Sequence, residues 1–99
     1  MALTVNQETG TIVMTAAGDN VDMPIFITGI RVESAAPTDA DVITVTDQHA
    51  DRRLIWRTSI SGTAEFSEET DKSFSIYSRD GVRLHVNTGD RATLFIYYK

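Results

Sequence analysis

Residues 24–47 read PIFITGIRVESAAPTDADVITVTD, and the reading of this stretch decides the fold. Ile25, Phe26, Ile27, Ile30, Val32, Val42, Ile43 and Val45 fill it with β-branched and aromatic side chains, which suit a pleated sheet better than a helix. The spacing predicts two strands, Ile25 to Glu33 and Val42 to Asp47, joined by a small, polar and acidic loop from Ser34 to Asp41. Pro24 has no N–H to give a ladder, so the first strand begins just after it. Within that strand the alternation changes phase: Ile25 and Ile27 share one parity, Ile30 and Val32 the other, with Gly29 between them. Either a β-bulge near Thr28–Gly29 resets the period and brings both pairs to one face, or both faces of the strand are buried.

Outward from this stretch the same alternation recurs in short segments. Upstream, Leu3 and Val5 form a short strand running into the turn Thr9–Gly10. Thr11 to Ala17 is a second strand, ended by Gly18, Asp19 and Asn20, and Val21 to Met23 is a brief edge strand. Downstream, Gln48 to Asp51 is a polar turn of about four residues that makes Val42 to Asp47 and Arg52 to Ile60 an antiparallel hairpin, with Ile55 and Trp56 in mid-strand. Glu65 to Lys72 reads as an exposed acidic loop with Phe66 tucked back. Phe74, Ile76 and Tyr77 begin another strand, Asp80–Gly81 turns it, and Val82, Leu84 and Val86 alternate with Arg83, His85 and Asn87. After the turn at Thr88–Gly89, Ala92 to Tyr98 carries Leu94, Ile96 and Tyr98 on one parity and Phe95 and Tyr97 on the other, so this strand is apolar on both sides. About eight short strands without helical periodicity predict an all-β fold, a small antiparallel β-sandwich or jelly roll with no substantial helix. A closed barrel is the alternative.

The chain has 99 residues and no cysteine. That length is one domain, residues 1–99, and buries roughly 60 to 65% of the surface of the unfolded chain. Without disulfides or thiolate metal sites, such a core relies on packing, hydrogen bonds or neighbouring subunits, and self-association is expected. A formal net charge of -5 argues against sequence-independent nucleic-acid binding, which needs cations to displace counterions from phosphates. No apolar run reaches the ~18 residues that span a bilayer, and no basic-then-apolar leader opens the sequence, so synthesis in the cytoplasm without export and without membrane contact is expected.

Candidate chemistry is sparse. Asp47, His49 and Asp51 form a D-x-H-x-D cluster that suits a metal or a general base, but polar residues at a hairpin tip also cap their own backbone, and that structural role is expected here. Asp39 and Asp41, and separately Glu65, Glu68, Glu69 and Asp71, supply oxygens of the kind calcium takes, without the spacing of an EF-hand; solvated acidic loops are expected instead. No Gly-x-Ser-x-Gly elbow frames any serine, no glycine loop is built for phosphates, and His85 points away from the apolar residues of its strand. The expectation is a non-enzymatic protein without catalytic residues, metal or cofactor. Trp56 with Tyr77, Tyr97 and Tyr98 contains the rings of a sugar-stacking platform, although a single Trp in a small sandwich is usually core.

Arginine is the informative excess. Seven of the nine basic residues are Arg, among them Arg52, Arg53 and Arg57 on one strand. Arg pairs bidentately with carboxylates and stacks on rings, and so favours interfaces. These three, with Phe95 and Tyr97 on the second face of the last strand, are the expected partner interface, and acidic loops of a neighbouring copy are natural counterparts for the arginines.

The run IFITGIRVESAAPTDADVITVTD, then LIW, then DGVRLHV and the ending TLFIYYK resembles the small β-sandwich virion proteins of tailed bacteriophages. The pattern comprises an apolar strand ending in I-x-V (Ile30 to Val32), a loop, and a strand ending in T-x-D (Thr44 to Asp47). An aromatic return strand (Trp56), a G-V strand (Gly81 to Leu84) and an apolar C-terminal strand (Thr93 to Tyr98) complete it. The resemblance covers about three-quarters of the chain; residues 1–23 depart from it as an added strand pair or an arm reaching a neighbour. It implies a capsid decoration or cement protein, a homotrimer set on the major capsid protein or another virion protein outside the head. The alternatives are a tail, neck or head-fibre component and, in a different class, a carbohydrate-binding module.

Overall fold

A computed structural model describes residues 3–6, 10–49 and 52–99, the first of these segments by its backbone alone. Among these residues ten strands follow in order: β1 Leu3–Asn6, β2 Thr11–Met14, β3 Asn20–Val21, β4 Ile25–Ser34, β5 Val42–Asp47, β6 Leu54–Ser59, β7 Phe66–Glu69, β8 Ile76–Ser78, β9 Val82–Asn87 and β10 Thr93–Tyr98. A single 3-10 turn, Thr88–Asp90, is the only helical element among the described residues. Every pairing is antiparallel, in two sheets. The first runs β1-β2-β10-β4, with β7 and β8 sharing the far side of β4; the second runs β3-β9-β5-β6. The all-β sandwich expected from the sequence is the observed fold.

The long strand β4 organises the first sheet, and its change of phase is a bulge. Tyr97 pairs with Gly29 and Tyr98 with Ile27, which leaves Thr28 as the extra residue. Ile25, Ile27, Ile30 and Val32 therefore all reach the core and are at most 2% exposed. They pack with Ile12, Met14, Leu94 and Ile96 of their own sheet against Ile43, Val45, Val82 and Leu84 of the other. Ile60 and Ala92 close the ends, and Trp56, Ile55, Phe66, Phe74, Ile76 and Tyr98 pack around the margin.

The loop between β4 and β5 carries the chain from one sheet to the other. Several expectations are corrected. Glu65 to Lys72 is not simply a loop, because Phe66–Glu69 pairs with Ser34–Arg31 as an edge strand, with Phe66 half-buried as expected. In β9 the clean alternation breaks: Leu84 pairs with Val45 and Val86 with Thr44, which skips His85. This second bulge sends Asn87 rather than Val86 into the interior, where it is 5% exposed. Asp41 is also buried, not solvated, because Arg91 pairs with it bidentately at 2.8 and 2.6 Å. That pair fastens the inter-sheet loop to the segment entering β10. Gly81, which opens β9, has a φ of 100°, and a Cβ there would overlap the Val21 carbonyl. Only glycine fits that turn.

Candidate functional site

In the described part of the hairpin tip between β5 and β6, Asp47 holds the backbone on both sides. One oxygen of Asp47 accepts the backbone N–H groups of His49 and Arg53 at 3.1 and 3.0 Å, and the other accepts Arg53 Nε at 2.8 Å. Burial pushes the Asp47 carboxyl up, but these hydrogen bonds outweigh it and hold the group below the usual carboxylate range. Asp47 is thus committed to shaping the turn; Asp51 lies outside the described residues. The acidic loops are similarly engaged: Asp39 accepts the Gly62 N–H at 2.7 Å, and Asp71 accepts both the amide and the hydroxyl of Ser73. Hydrogen bonding to Arg91, with the Thr38 N–H added, lowers the Asp41 carboxyl to about 2. Among the described residues no group of three or more His, Asp or Glu is placed to hold a metal ion. His85 is exposed on its bulge.

Trp56 is half-buried on β6 and packs against the core, while Tyr77, Tyr97 and Tyr98 stand on β8 and β10 of the other sheet. No one sheet face therefore carries the tryptophan and the tyrosines together as a stacking platform.

What the sheets do assemble is a surface. In a two-layer sandwich the inward residues are apolar and the outward ones polar. The outer face of the first sheet departs from this rule. Phe95 sits between Val13 and Arg31 on the neighbouring strands, and Tyr97 between Thr11 and Gly29. The Arg31 guanidinium lies 5.6 Å from the Phe95 ring centroid and forms an ion pair with Glu33. Hydrogen bonding with Tyr97, against the opposing effect of burial and with help from Glu33 and Glu69, raises the Arg31 pKa further above its ordinary value. Further along, the Lys99 ammonium lies 5.5 Å from the Phe26 ring, and Phe26 pairs across the sheet with Tyr77. Cations stacked on rings, with Glu33 and Glu69 beside Arg31, make a surface that is aromatic and charged at once.

The expected interface residues fall into two groups. Phe95 and Tyr97 belong to this outer face of the first sheet. Arg52, Arg53 and Arg57 are exposed on or beside β6, at the edge of the second sheet. Arg52 donates to the Gln48 side chain at 2.6 Å, and Arg53 is held by Asp47. Sequence reading missed Arg31, Phe26 and Lys99. The signal for Phe26 and Arg31 was their parity, since each lies between two core residues of β4 and must face outward. The stacking of Lys99 follows from its backbone N–H bonding to the Phe26 carbonyl at 3.1 Å, a tertiary contact with no local trace.

Comparison of the chain with protein-family profiles, curated proteins and solved structures returned no match.

Proposed function

We propose that this chain is a non-enzymatic structural protein of a bacteriophage virion, a decoration or cement subunit that binds the outside of the head and works by covering surface on a larger assembly. The observation that carries the reading is the outer face of the first sheet, where Phe26, Phe95 and Tyr97 stand with Arg31 and Lys99 over two of the rings. An aromatic and arginine-bearing face is the composition of an interface core. The net charge of -5 suits a site remote from packaged DNA. The virion setting comes from the sequence pattern, and many identical copies would multiply modest contacts into firm attachment.

Under this reading, purified protein mixed with expanded phage heads co-sediments with them, and the Arg31→Glu variant, altered at a half-exposed position, loses at least tenfold in affinity while its circular dichroism is unchanged. Protein that ignores heads but sediments with tails belongs to the tail or neck instead. Protein that binds neither removes the virion reading.

A further inference from the structure

The three large apolar side chains that are most exposed among the described residues gather on one side of the molecule. Leu54 is 59% exposed, Tyr77 57% and Phe26 36%. Tyr77 is the cross-strand neighbour of Phe26, and together with Leu54 it lines an open cleft of about 190 Å³ with Ile55, Ile76, Ser78, Asp47 and Arg53. This cleft is where the sandwich gapes, because β6 ends the second sheet while β7 and β8 end the first. Scattered apolar residues need no explanation, but a cluster at an unpaired strand edge does.

Charge is distributed unevenly along that edge. At the β8 end, Arg53 and Arg79 line a shallow depression with His49 and Asp80, and Arg52 lies beside them; Arg53 is matched by Asp47, so Arg79 and Arg52 carry the positive charge there. The Arg79 side chain is 80% exposed, and its ion-pair partner, Asp80, is 3.7 Å away, beyond a good hydrogen bond. At the β7 end, Glu65 and Glu33 flank Phe66 in a second pocket of about 220 Å³, and Glu68 and Glu69 are exposed next to it. The two ends are separated by the seven residue steps from Phe26 to Glu33 along β4, about 23 Å. Midway between them Thr70 donates its N–H to the Ile30 carbonyl and accepts the Ile30 N–H on its hydroxyl, so the backbone at the centre is already satisfied.

We infer that two copies of this chain pair edge to edge about a two-fold axis near Thr70, the basic apolar end of each copy lying against the acidic pocket of the other. The register follows from strand geometry. An antiparallel approach about Thr70 sets Tyr77 opposite Phe66 and Ser67 of the second copy, and Arg79 opposite its Glu65. Arg79 and Glu65 both stand at outward parity, so the guanidinium meets the carboxylate, while Phe66, paired with the buried Ser34, stays on its own core. A parallel approach would instead set arginine against arginine and glutamate against glutamate, so the charge pattern selects one orientation. A two-fold contact is closed: it uses both edges at once and leaves none for a third copy. The area is roughly 1,000 Å² in total, the low end for a specific contact, so the pair is expected to be salt-sensitive and to dissociate on dilution. This dimer would replace the trimer that the sequence resemblance implied.

Sedimentation equilibrium of the full chain decides the matter, with the test resting on exposed residues whose replacement leaves the core untouched. The expected result is twice the 10.9 kDa chain mass at high concentration in low salt. Arg79→Glu and Glu65→Lys should each weaken the dimer at least tenfold, and the two together should restore it to within about threefold, because the swapped pair attracts again. A monomer even at millimolar concentration, a trimer, or a dimer indifferent to both single reversals would overturn the inference. Phe26 belongs to both surfaces, but Arg79 and Glu65, on which this test rests, lie outside the proposed head-docking face, so absence of head binding leaves the test standing.

Discussion

Asn87 ties the two sheets together by three hydrogen bonds from one short side chain. Its Nδ2 donates to the Thr15 and Ala92 carbonyls at 3.0 and 2.8 Å, and its Oδ1 accepts the Ala92 N–H at 3.2 Å. Asn87→Ala removes all three from a buried site, and the expected cost is about 2–4 kcal/mol, since stranded backbone groups carry their full desolvation penalty. Urea unfolding reads this directly, and a loss below about 0.5 kcal/mol would show that the bridge is dispensable. Asp41 makes a different kind of prediction. Its folded pKa is about 2 against an ordinary value of 3.8, so the folded state holds the proton less tightly. The stability it contributes is therefore complete above pH ~4 and is lost as the pH falls toward 2. Asp41→Asn should be less stable than the parent at pH 7 and should lose less of its stability on acidification across that window. A parent and variant with parallel pH profiles between 4 and 2 would refute the role assigned to the Arg91 pair.

At the scale of the element, the bulge in β4 is what brings the two halves of the strand to one core face despite the change of phase in the sequence. Deleting Thr28 removes the extra residue and leaves Ile25, Ile27, Ile30 and Val32 at alternate positions of a regular strand, still facing the core. The deletion is therefore expected to fold, at a cost below the ~3 kcal/mol that turning one buried isoleucine outward would bring, as read by urea unfolding. A deletion variant that does not fold would mean that the bulge itself, and not the inward parity it restores, holds the sheet. This bulge was legible in the sequence because apolar residues stand on both sides of the phase change. The one in β9 was not, because Val82, Leu84 and Val86 keep their parity straight through it, and the inward residue it creates is an asparagine. Strand β7 was equally hidden. Only Phe66 of its four residues packs against the core, while Glu68 and Glu69 are exposed, so no alternation marks the segment. Exposed charges on a short edge strand also discourage indiscriminate pairing with other sheets, which gives those glutamates a reason to exist that local periodicity does not reveal.

At the scale of the molecule, alternation tells which residues face inward but not which sheet a strand joins. The assignment of β4 and β5 to opposite layers is set by the loop carrying Asp41, and it separates Arg52, Arg53 and Arg57 from Phe95 and Tyr97. The result is two surfaces on one small sandwich, an aromatic face on the first sheet and a charged apolar edge beside it. A domain of this size keeps only a modest margin of stability, so any contact between copies should register in its melting. If the edge pairs with a second copy, the melting temperature rises with protein concentration, because mass action favours the folded dimer over two unfolded chains. The rise should amount to a few degrees over a hundredfold increase in concentration, should shrink in high salt, and should vanish in Arg79→Glu. Phe95→Ser, on the aromatic face and on β10 away from the β7 edge, should keep the full concentration dependence, because it leaves the edge unchanged. If instead Phe95→Ser abolishes the dependence and Arg79→Glu does not, the copies meet through the aromatic face, and the edge cleft loses its assigned partner.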